Sequence, residues 1–337
     1  MDLDALTQRL GRRDAIVVGR VGMDFCPDPA GVTVPEGESW VSGMGGSSAN
    51  IAAGLVKLGW TAGLVTCVSD DGVGRYCRGQ LARYGIGDAH VRTVPGQART
   101  SLAVYDSVNS SQNHVIYRNN AVDFLMGTED VEAVDWGAHG VLVTAGTVFA
   151  AEPSRAASFR AFEMARAAGV PIVFDIDYRP YSWPSAEEAA DVLSRAGEMA
   201  DAVVGNDEEF GFMAGGAEKG LAHARGLASA APLVVYKMGA AGAVTFAGGR
   251  EIRTGIYEVE ALKPTGAGDS FMAGLLAGLG EGRGVEEAVL RGSACASIVV
   301  SRPMCAPAMP YPDELDAFIA RHPGSTLDAG HPGRTEP

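Results

Sequence analysis

The sequence predicts one α/β domain in which helices flank a mostly parallel β-sheet. Short, continuously apolar segments alternate along the chain with helical segments of about 10–15 residues, which is typical of right-handed βαβ units. The apolar segments lack polar residues at every second position, as expected for strands buried on both faces. Many of the 45 glycines stand at the ends of these segments, where turns between strands and helices are expected.

Buried strands of the central sheet are predicted at residues 15–18, 63–68, 141–146, 171–177, 201–206 and 232–239. Helices are predicted at residues 47–58, 154–168, 186–199, 218–228, 268–279, 285–300 and 313–321. In the first helix the apolar residues recur on one face, Ser47 or Ser48 can cap the N-terminus, and Gly59 ends the helix. Because the alternation continues to the last helix, we expect a single domain over residues 1–320.

Two segments have the alternating pattern and polar turns of β-hairpins, at residues 100–118 and 243–259. Short surface strands are also expected within residues 32–41, where glycine and proline interrupt the apolar residues. With the hairpin at 100–118, these strands could form a small sheet outside the main one. Residues 322–337 are rich in proline, glycine and polar residues, so we expect a disordered tail there.

The composition excludes several classes of function. A formal net charge of −14 disfavours nucleic acid and anionic membranes as partners, although a local pocket can still be positive. The five cysteines form no C-x-x-C pair and the six histidines form no zinc motif, which indicates a reduced protein without a zinc site. The N-terminus has no apolar signal segment, and no apolar run reaches the roughly 18 residues of a membrane span. We therefore expect a soluble, cytoplasmic protein.

Residues 263–274, KPTGAGDSFMAG, hold the strongest chemical signal. Gly266, Ala267 and Gly268 form a turn of small residues that leads directly into an apolar, buried helix. Free N–H groups at a helix start bind phosphate or a developing oxyanion. Asp269 stands in the first helical turn, where its carboxylate can accept a proton from an attacking hydroxyl. The pattern predicts phosphoryl transfer with Asp269 as base, although it also suits a carboxylate that only caps a helix.

Two further features are typical of a ligand site at the edge of an α/β sheet. Gly45 and Gly46 precede Asn50 at the start of the first helix, so a ligand can lie against the backbone while the amide contacts a hydroxyl. Asp24 follows the first strand, at the edge where open α/β sheets bind ligands. Each feature alone also fits an ordinary turn, N-cap or lone acid.

Together these motifs resemble the ribokinase-like (PfkB) family of carbohydrate kinases. GGSSAN at 45–50 looks like the N-terminal signature of that family, PTGAGDSF at 264–271 like its C-terminal signature, and NDEE at 206–209 like its N-x-x-E motif. The resemblance covers residues 14–320. It implies an ATP-dependent kinase for a sugar hydroxyl, with a ribokinase-like fold and a small β-sheet lid formed by residues 28–42 and 98–119. Such a lid closes over the substrate and excludes water.

The resemblance also implies roles for individual positions of this chain. Asp269 is the catalytic base, and residues 266–268 form the anion hole. The residues implied to bind the sugar are Asp24, Gly45, Gly46 and Asn50. The residues implied to border the nucleotide are Lys237, Gly239, Gly242 and Ser293. Asn206 and Glu209 place Mg²⁺ and the ATP phosphates through water, which suits an ion that takes oxygen ligands and keeps its waters.

Two positions depart from the family pattern. Lys263-Pro264 replaces the acidic residue of the usual D-T-x-G-A-G-D, and Ser293 stands where many relatives have asparagine beside the nucleotide. These departures bear on the adenine-side contacts and on a monovalent cation, which the resemblance implies as a further cofactor nearby. They leave the catalytic turn unchanged.

Three segments resemble the subgroup of this family that acts on 5-dehydro-2-deoxygluconate in inositol catabolism: YRNN at 117–120, FDIDYRP at 174–180 and SRPMCAP at 301–307. This resemblance implies phosphorylation of the 6-hydroxyl of that keto acid. Its carboxylate needs a cationic partner, for which Arg118 or Arg179 can serve, with Asp177 in the same substrate site. Lid sheets of the family often pair between subunits, so the resemblance also implies a homodimer.

Other functions stay open on these motifs. Another PfkB kinase, such as a 2-keto-3-deoxygluconokinase, fructokinase or ribokinase, would use the same catalytic turn. A sugar- or nucleotide-binding regulator could keep the fold without catalysis, although the intact GAGD turn argues against it. A Rossmann dehydrogenase would need the full G-x-G-x-x-G, which is incomplete at residues 19–22.

Overall fold

The computed structural model describes residues 1–108 and 114–322 of the 337-residue chain. Its strands are, in chain order, β1 (Asp14–Val18), β2 (Gly22–Asp28), β3 (Ser39–Gly45), β4 (Thr61–Ser69), β5 (Gly87–Val94), β6 (Leu102–Tyr105), β7 (His114–Tyr117), β8 (Val141–Ala145), β9 (Ile172–Asp175), β10 (Ala202–Asn206), β11 (Leu233–Lys237), β12 (Ala243–Ala247) and β13 (Arg250–Thr254). Its helices are α1 (Leu3–Leu10), α2 (Ser47–Lys57), α3 (Gly72–Tyr84), α4 (Thr128–Glu132), α5 (Ser154–Ala167), α6 (Ala186–Met199), α7 (Asp207–Met213), α8 (Gly220–Leu227), α9 (Ala267–Gly280), α10 (Val285–Val300) and α11 (Pro312–Arg321).

The central sheet contains nine strands within the described residues, in the order β13-β12-β11-β10-β9-β8-β1-β4-β5. All neighbours from β11 to β5 pair in parallel, whereas β11 with β12 and β12 with β13 pair antiparallel. The predicted mostly parallel sheet is confirmed. The hairpin predicted at 243–259 is present over β12 and β13, but its second strand ends at Thr254. Parallel strands joined through helices place their carboxyl ends at one edge of the sheet.

Helices cover both faces of this sheet. α1, α2, α3, α9, α10 and α11 contribute to the apolar core on one face, and α4 to α8 contribute to the core on the other. The side chains of β1 divide between the two cores, because Ala15 and Val17 lie in the first while Ile16 and Val18 lie in the second. Successive side chains of a strand point to opposite faces, so a continuously apolar strand requires helices on both sides.

A second sheet of four strands has the order β3-β2-β6-β7. β6 and β7 form the antiparallel hairpin predicted at 100–118. The strands expected within 32–41 are displaced, since β2 and β3 lie on either side of a 3-10 helix at Val34–Glu36. Pro35 has no N–H for a strand ladder, and the Glu36 carboxylate accepts a hydrogen bond from the N–H of Thr33. These local contacts favour a capped turn over a strand.

The small sheet exposes several large apolar side chains, which are Trp40, Val41, Val115 and Tyr117. Exposed apolar groups of this size often mark an interaction surface. The homodimer that the family resemblance implies through this sheet stays a prediction, as do the limits of the lid.

The sequence patterns missed several elements, including α1, α3, β5 and α7. α3 contains three glycines and few apolar residues, so its helical periodicity is weak. Asp71 caps it by accepting hydrogen bonds from the N–H groups of Val73 and Gly74, and Gly85 ends it with a left-handed φ of 73°. Beyond His322, the tail predicted at 322–337 lies outside the described residues. In the part of the chain that the structure describes, no helix has the length and apolar character needed to span a bilayer.

Candidate active site

A cavity of about 1060 Å³ opens at the carboxyl edge of the central sheet and is bordered by the small sheet. Its walls include residues at or just after the ends of β1, β9, β10 and β11, together with the N-terminal turns of α2 and α9. Open α/β sheets bind ligands in the crevice outside the carboxyl ends of their strands. This cavity contains most of the residues that the sequence predicts for the site.

The turn 266–268 lines the cavity at the start of α9. Gly266 has a left-handed φ of 85°, and a Cβ atom there would stand 2.9 Å from Sγ of Cys305, so only glycine fits without strain. The first N–H groups of a helix have no intrahelical acceptor. Lys237 lies beside them, with its Nζ 3.6 Å from the position that a Cβ of Gly268 would occupy. The free N–H groups at the start of α9 and the ammonium of Lys237 together make a site for an anion such as phosphate.

Asp269 lies in the first turn of α9 and faces the cavity. Burial raises the pKa of Asp269 to about 7, and the nearby charge of Asp177 adds to this effect. Asn50 acts in the opposite direction, because its Nδ2 donates a hydrogen bond of 2.8 Å to Oδ2 of Asp269 and favours the charged form. A carboxylate with a pKa near neutrality can take a proton from a hydroxyl group and release it later.

Two further aspartates, Asp175 and Asp177, lie in the same part of the cavity. Burial raises the pKa of Asp175 well above its usual range, despite the opposing charge of Lys237. Burial also acts to raise the pKa of Asp177, but Arg179, whose Nη2 lies 2.6 Å from Oδ1, holds it below its usual value. Asp177 is therefore ionised at neutral pH. Its negative charge disfavours ionisation of Asp175 and Asp269 and so raises the pKa of both.

Asn206 and Glu209 stand at the start of α7, at another end of the cavity. They form a capping box, in which the N–H of Glu209 donates to Oδ1 of Asn206 and the N–H of Asn206 donates to Oε2 of Glu209, both over 2.8 Å. Their side-chain oxygens suit Mg²⁺, which prefers oxygen ligands. Within residues 1–108 and 114–322, no cluster of three or more His, Cys, Asp or Glu could hold a metal ion. The water-mediated contact of Mg²⁺ with Asn206 and Glu209 stays a prediction. The cavity lining also includes Gly239, Gly242 and Ser293.

Asp24, Gly46 and Asn50 line the end of the cavity that adjoins the small sheet. Burial raises the pKa of Asp24 to about 6, against the opposing charge of Arg20. Gly45 is not part of the lining. A Cβ at Gly45 would stand 1.7 Å from Oδ1 of Asp24, so the missing side chain makes room for that carboxylate. Gly45 thus acts on the site through Asp24.

Arg118 lies outside the lining of this cavity, in a buried ion pair with Asp123. Its guanidinium also lies over the ring of Phe124, 4.1 Å from the ring centroid, and only 8% of the residue is exposed. The contacts of Arg118 are thus internal, and its contact with a substrate carboxylate stays a prediction. Arg179, the alternative partner, does line the cavity.

Arg20 lines the cavity although no sequence motif singles it out. It follows β1 in the segment GRVG, which patterns mark only as an incomplete dinucleotide fingerprint. Its Nη1 donates to Oγ of Ser101 over 2.7 Å, and its Nε has no hydrogen-bond partner among the described residues. The available signal was a cation placed directly after a buried parallel strand, at the edge where ligands bind. Residues 254–259 and 261 also line the cavity although no motif singles them out.

Comparison with known proteins agrees with this geometry. Residues 12–312 match the profile of the pfkB family carbohydrate kinases. The 5-dehydro-2-deoxygluconokinase of Photobacterium profundum is 36% identical to this chain, over 91% of this chain and 94% of that protein. The protein of the same name from Geobacillus thermodenitrificans is 35% identical, over 91% of this chain and 93% of that protein.

Solved structures give the same fold. A PfkB protein from Polaromonas sp. JS666 has a TM-score of 0.77 at 28% identity, covering 90% of this chain and 99% of that one. A double mutant of fructokinase from Vibrio cholerae O395, solved with fructose, ADP and a potassium ion, has a TM-score of 0.79 at 24% identity, covering 91% of this chain and 98% of that one. The predicted ribokinase-like fold is confirmed. This chain belongs to the pfkB family of carbohydrate kinases, and it is an ATP-dependent sugar kinase.

Proposed function

We propose that this kinase transfers the γ-phosphoryl group of ATP to the 6-hydroxyl of 5-dehydro-2-deoxygluconate. Relatives that bear the corresponding name are 35% to 36% identical over 91% of the chain, which supports this substrate. The observation that carries the proposal is Arg20, a buried cation at the sugar end of the cavity. A keto acid differs from neutral sugars by its carboxylate, and Arg20 is placed to bind that group.

The charge of Arg20 acts on the nearby Asp24 and Asp177, but Arg20 forms no direct ion pair among the described residues. It is 6% exposed, and no carboxylate oxygen of the described residues lies within 4.0 Å of its nitrogens. A buried charge without a direct ion-pair partner is costly, so a ligand that supplies an anion in contact with Arg20 is favoured. Arg179, the other cavity arginine, already forms an ion pair with Asp177. The planar guanidinium of Arg20 can hold a carboxylate through two parallel hydrogen bonds.

The reaction follows from the groups around the turn 266–268. Asp269 takes the proton of the substrate hydroxyl, the hydroxyl oxygen forms a bond to the γ-phosphorus, and the bond from that phosphorus to the β-phosphate oxygen breaks as ADP leaves. The N–H groups of the turn and the ammonium of Lys237 stabilise the negative charge of the transferred group. When bound through water near Asn206 and Glu209, Mg²⁺ supplies positive charge to the ATP phosphates. Asp269 keeps the proton until the site reopens.

A substrate panel tests the proposal directly. Turnover of 5-dehydro-2-deoxygluconate, 2-keto-3-deoxygluconate, fructose and ribose would be measured with Mg-ATP by coupled detection of ADP. We expect kcat/KM for the first compound to exceed the values for fructose and ribose by at least about 100-fold, because a site built for a carboxylate strongly rejects analogues that lack it. 2-Keto-3-deoxygluconate carries the same carboxylate, so its kcat/KM tests how the site reads the positions of the keto and deoxy carbons and not the contact with Arg20. An equal or higher value for another compound would assign the enzyme to that substrate instead.

Arg20→Met tests the residue that carries the proposal. We expect KM for the keto acid to rise about 10- to 100-fold, the usual worth of a hydrogen bond to a charged group, while KM for a neutral sugar stays nearly unchanged. Arg118→Ala, measured on the same pair of substrates, tests the role implied by resemblance for that residue. A KM increase confined to the acidic substrate in Arg118→Ala, with none in Arg20→Met, would move the carboxylate site away from Arg20.

A further inference from the structure

Lys263 is a buried cation that the reaction described above does not use. Only 1% of the residue is exposed. Its Nζ donates hydrogen bonds to two backbone oxygens, that of Thr265 at 2.6 Å and that of Val299 at 3.3 Å. No carboxylate of the described residues lies within ion-pair distance of it. The charges of Asp24 and Asp269 also act on Lys263, but its direct contacts are with carbonyl groups. This is unusual, because buried charges are normally paired or bind a ligand.

The two carbonyls belong to elements that shape the anion-binding turn. Thr265 immediately precedes Gly266, and Val299 lies in the last turn of α10. A helix C-terminus presents free carbonyl groups with partial negative charge, which a cation stabilises. The main chain of Lys263 adds a further link, since its N–H donates to the carbonyl of Val300 over 3.1 Å. Lys263 thus connects the turn to the end of α10.

These carbonyl oxygens are the kind of ligand that a monovalent cation would need. Potassium binds where backbone carbonyls replace its hydration shell, and the fructokinase of Vibrio cholerae O395 was solved with a potassium ion. In this chain, Lys263 stands where the D-T-x-G-A-G-D pattern has its first acid, and its ammonium already occupies the oxygens of Thr265 and Val299. A second cation there would face a like charge at short range. The residues present do not fit a monovalent ion at this position.

We propose that the ammonium of Lys263 is a built-in cation that takes the place of a monovalent ion and holds the turn 265–268 in its anion-binding conformation. The kinase therefore needs neither potassium nor sodium. Lys263 is a positioning residue, because it touches the carbonyl before the anion hole and not the substrate. The turn has little freedom, since Gly266 packs against Cys305 and Val299. A small displacement of its N–H groups would misplace them for the transferred phosphoryl group.

Thermal unfolding of the free protein tests the proposal without any substrate, so its result does not depend on the substrate proposed above. Melting temperatures would be compared in potassium chloride, sodium chloride and choline chloride at equal ionic strength. The wild type should melt at the same temperature in all three. Lys263→Asp restores the acid of the family pattern, so its melting temperature should be low in choline and rise specifically in potassium. A potassium-specific rise in the wild type would overturn the proposal.

Turnover gives the second readout, on the substrate that the panel identifies. Lys263→Ala should lower kcat roughly 10- to 100-fold, as expected when catalytic groups are slightly misplaced, and ammonium or potassium ions should restore part of it. Lys57→Met is the matched control, because Lys57 also donates to backbone carbonyls, those of Ala306, Pro307 and Met309, but makes no contact with the turn 265–268. Its loss should lower stability without any ion-dependent recovery of kcat.

Three results would contradict the built-in cation. Unchanged kcat of Lys263→Ala in choline would show that the ammonium is dispensable. An increase in the kcat of Lys57→Met on addition of the same ions would show a general salt effect. Activation of the wild type by potassium, measured against choline, would show that an ion site exists beside Lys263. This last measurement needs no variant, so it decides the question even where the substituted proteins do not fold.

Discussion

Asp269→Asn should make this protein more stable at alkaline pH while it removes catalysis. Burial, with the charge of Asp177 adding to it, raises the pKa of Asp269 from 3.8 to about 7. Since each pKa unit corresponds to about 1.4 kcal/mol, ionising this carboxylate in the folded state costs up to about 4 kcal/mol. Asp269 is only half-buried, so solvent in the cavity reduces the expected cost to about 2–4 kcal/mol.

The sign of the effect follows from the protons bound in each state. Below pH 3.8, Asp269 of the wild type carries its proton in both the folded and the unfolded chain. Between pH 3.8 and about 7, the unfolded chain loses the proton while the folded chain keeps it, so the free energy of unfolding falls as pH rises. Asparagine cannot ionise, so the free energy of unfolding of the variant increasingly exceeds that of the wild type as pH rises through this window. The difference reaches its full size above pH 7.

Urea unfolding of both proteins at about pH 4.5 and about pH 8.5 measures this advantage, which should be larger at the higher pH by about 2–3 kcal/mol. Asp313→Asn is the matched control, because Asp313 also stands in the first turn of a helix but is exposed. Turnover of Asp269→Asn should fall by about 10²- to 10⁴-fold, the usual contribution of a general base. An advantage that does not grow with pH would refute the burial of this carboxylate, and wild-type turnover would refute its role as base.

Two other predictions concern charged groups near the site. Asn50→Leu removes the hydrogen bond that lowers the pKa of Asp269. The acidic limb of the pH profile of kcat/KM, expected near pH 7, should therefore move to higher pH. A limb that stays in place or moves to lower pH would exclude this role for Asn50. Arg118→Met leaves Asp123 buried without its cation and should lower the free energy of unfolding by about 3–5 kcal/mol in urea titrations. Arg225→Met breaks an exposed ion pair and should cost less than about 1 kcal/mol, so an equally small effect of Arg118→Met would contradict the buried pair.

The features that the sequence predicts well are local in the chain. The turn 266–268 and Asp269 are consecutive, and a glycine turn before an apolar helix produces free N–H groups wherever the helix lies. The buried strands are equally local, because both faces of an apolar strand must be covered whatever its neighbours are. Irregular or glycine-rich elements such as α3 lack this local signal and were missed, since a capping aspartate and tertiary packing form them.

The partners of charged side chains depend on tertiary packing and could not be predicted. Arg118 and Arg179 are similar in the sequence, as each follows an aromatic residue at the end of a strand-like segment. In the structure, Asp123 pairs with Arg118 outside the cavity, whereas Arg179 faces the cavity and pairs with Asp177. The sequence likewise indicates that Lys263 replaces an acid, but not that its ammonium reaches Val299, 36 residues away. Such contacts depend on how neighbouring elements approach one another.

The acidity of Asp269 depends in part on the close approach of two helices from opposite ends of the chain. α2 contributes Asn50, which donates to Asp269 at the start of α9, 219 residues later. One turn after Asn50, a Cβ at Gly54 would stand 2.6 Å from the Cβ of Ala273 on α9. A larger residue at Gly54 would push the helices apart and lengthen the hydrogen bond that favours ionised Asp269. Gly54 therefore supports the hydrogen bond by which Asn50 opposes the effect of burial on the pKa of Asp269.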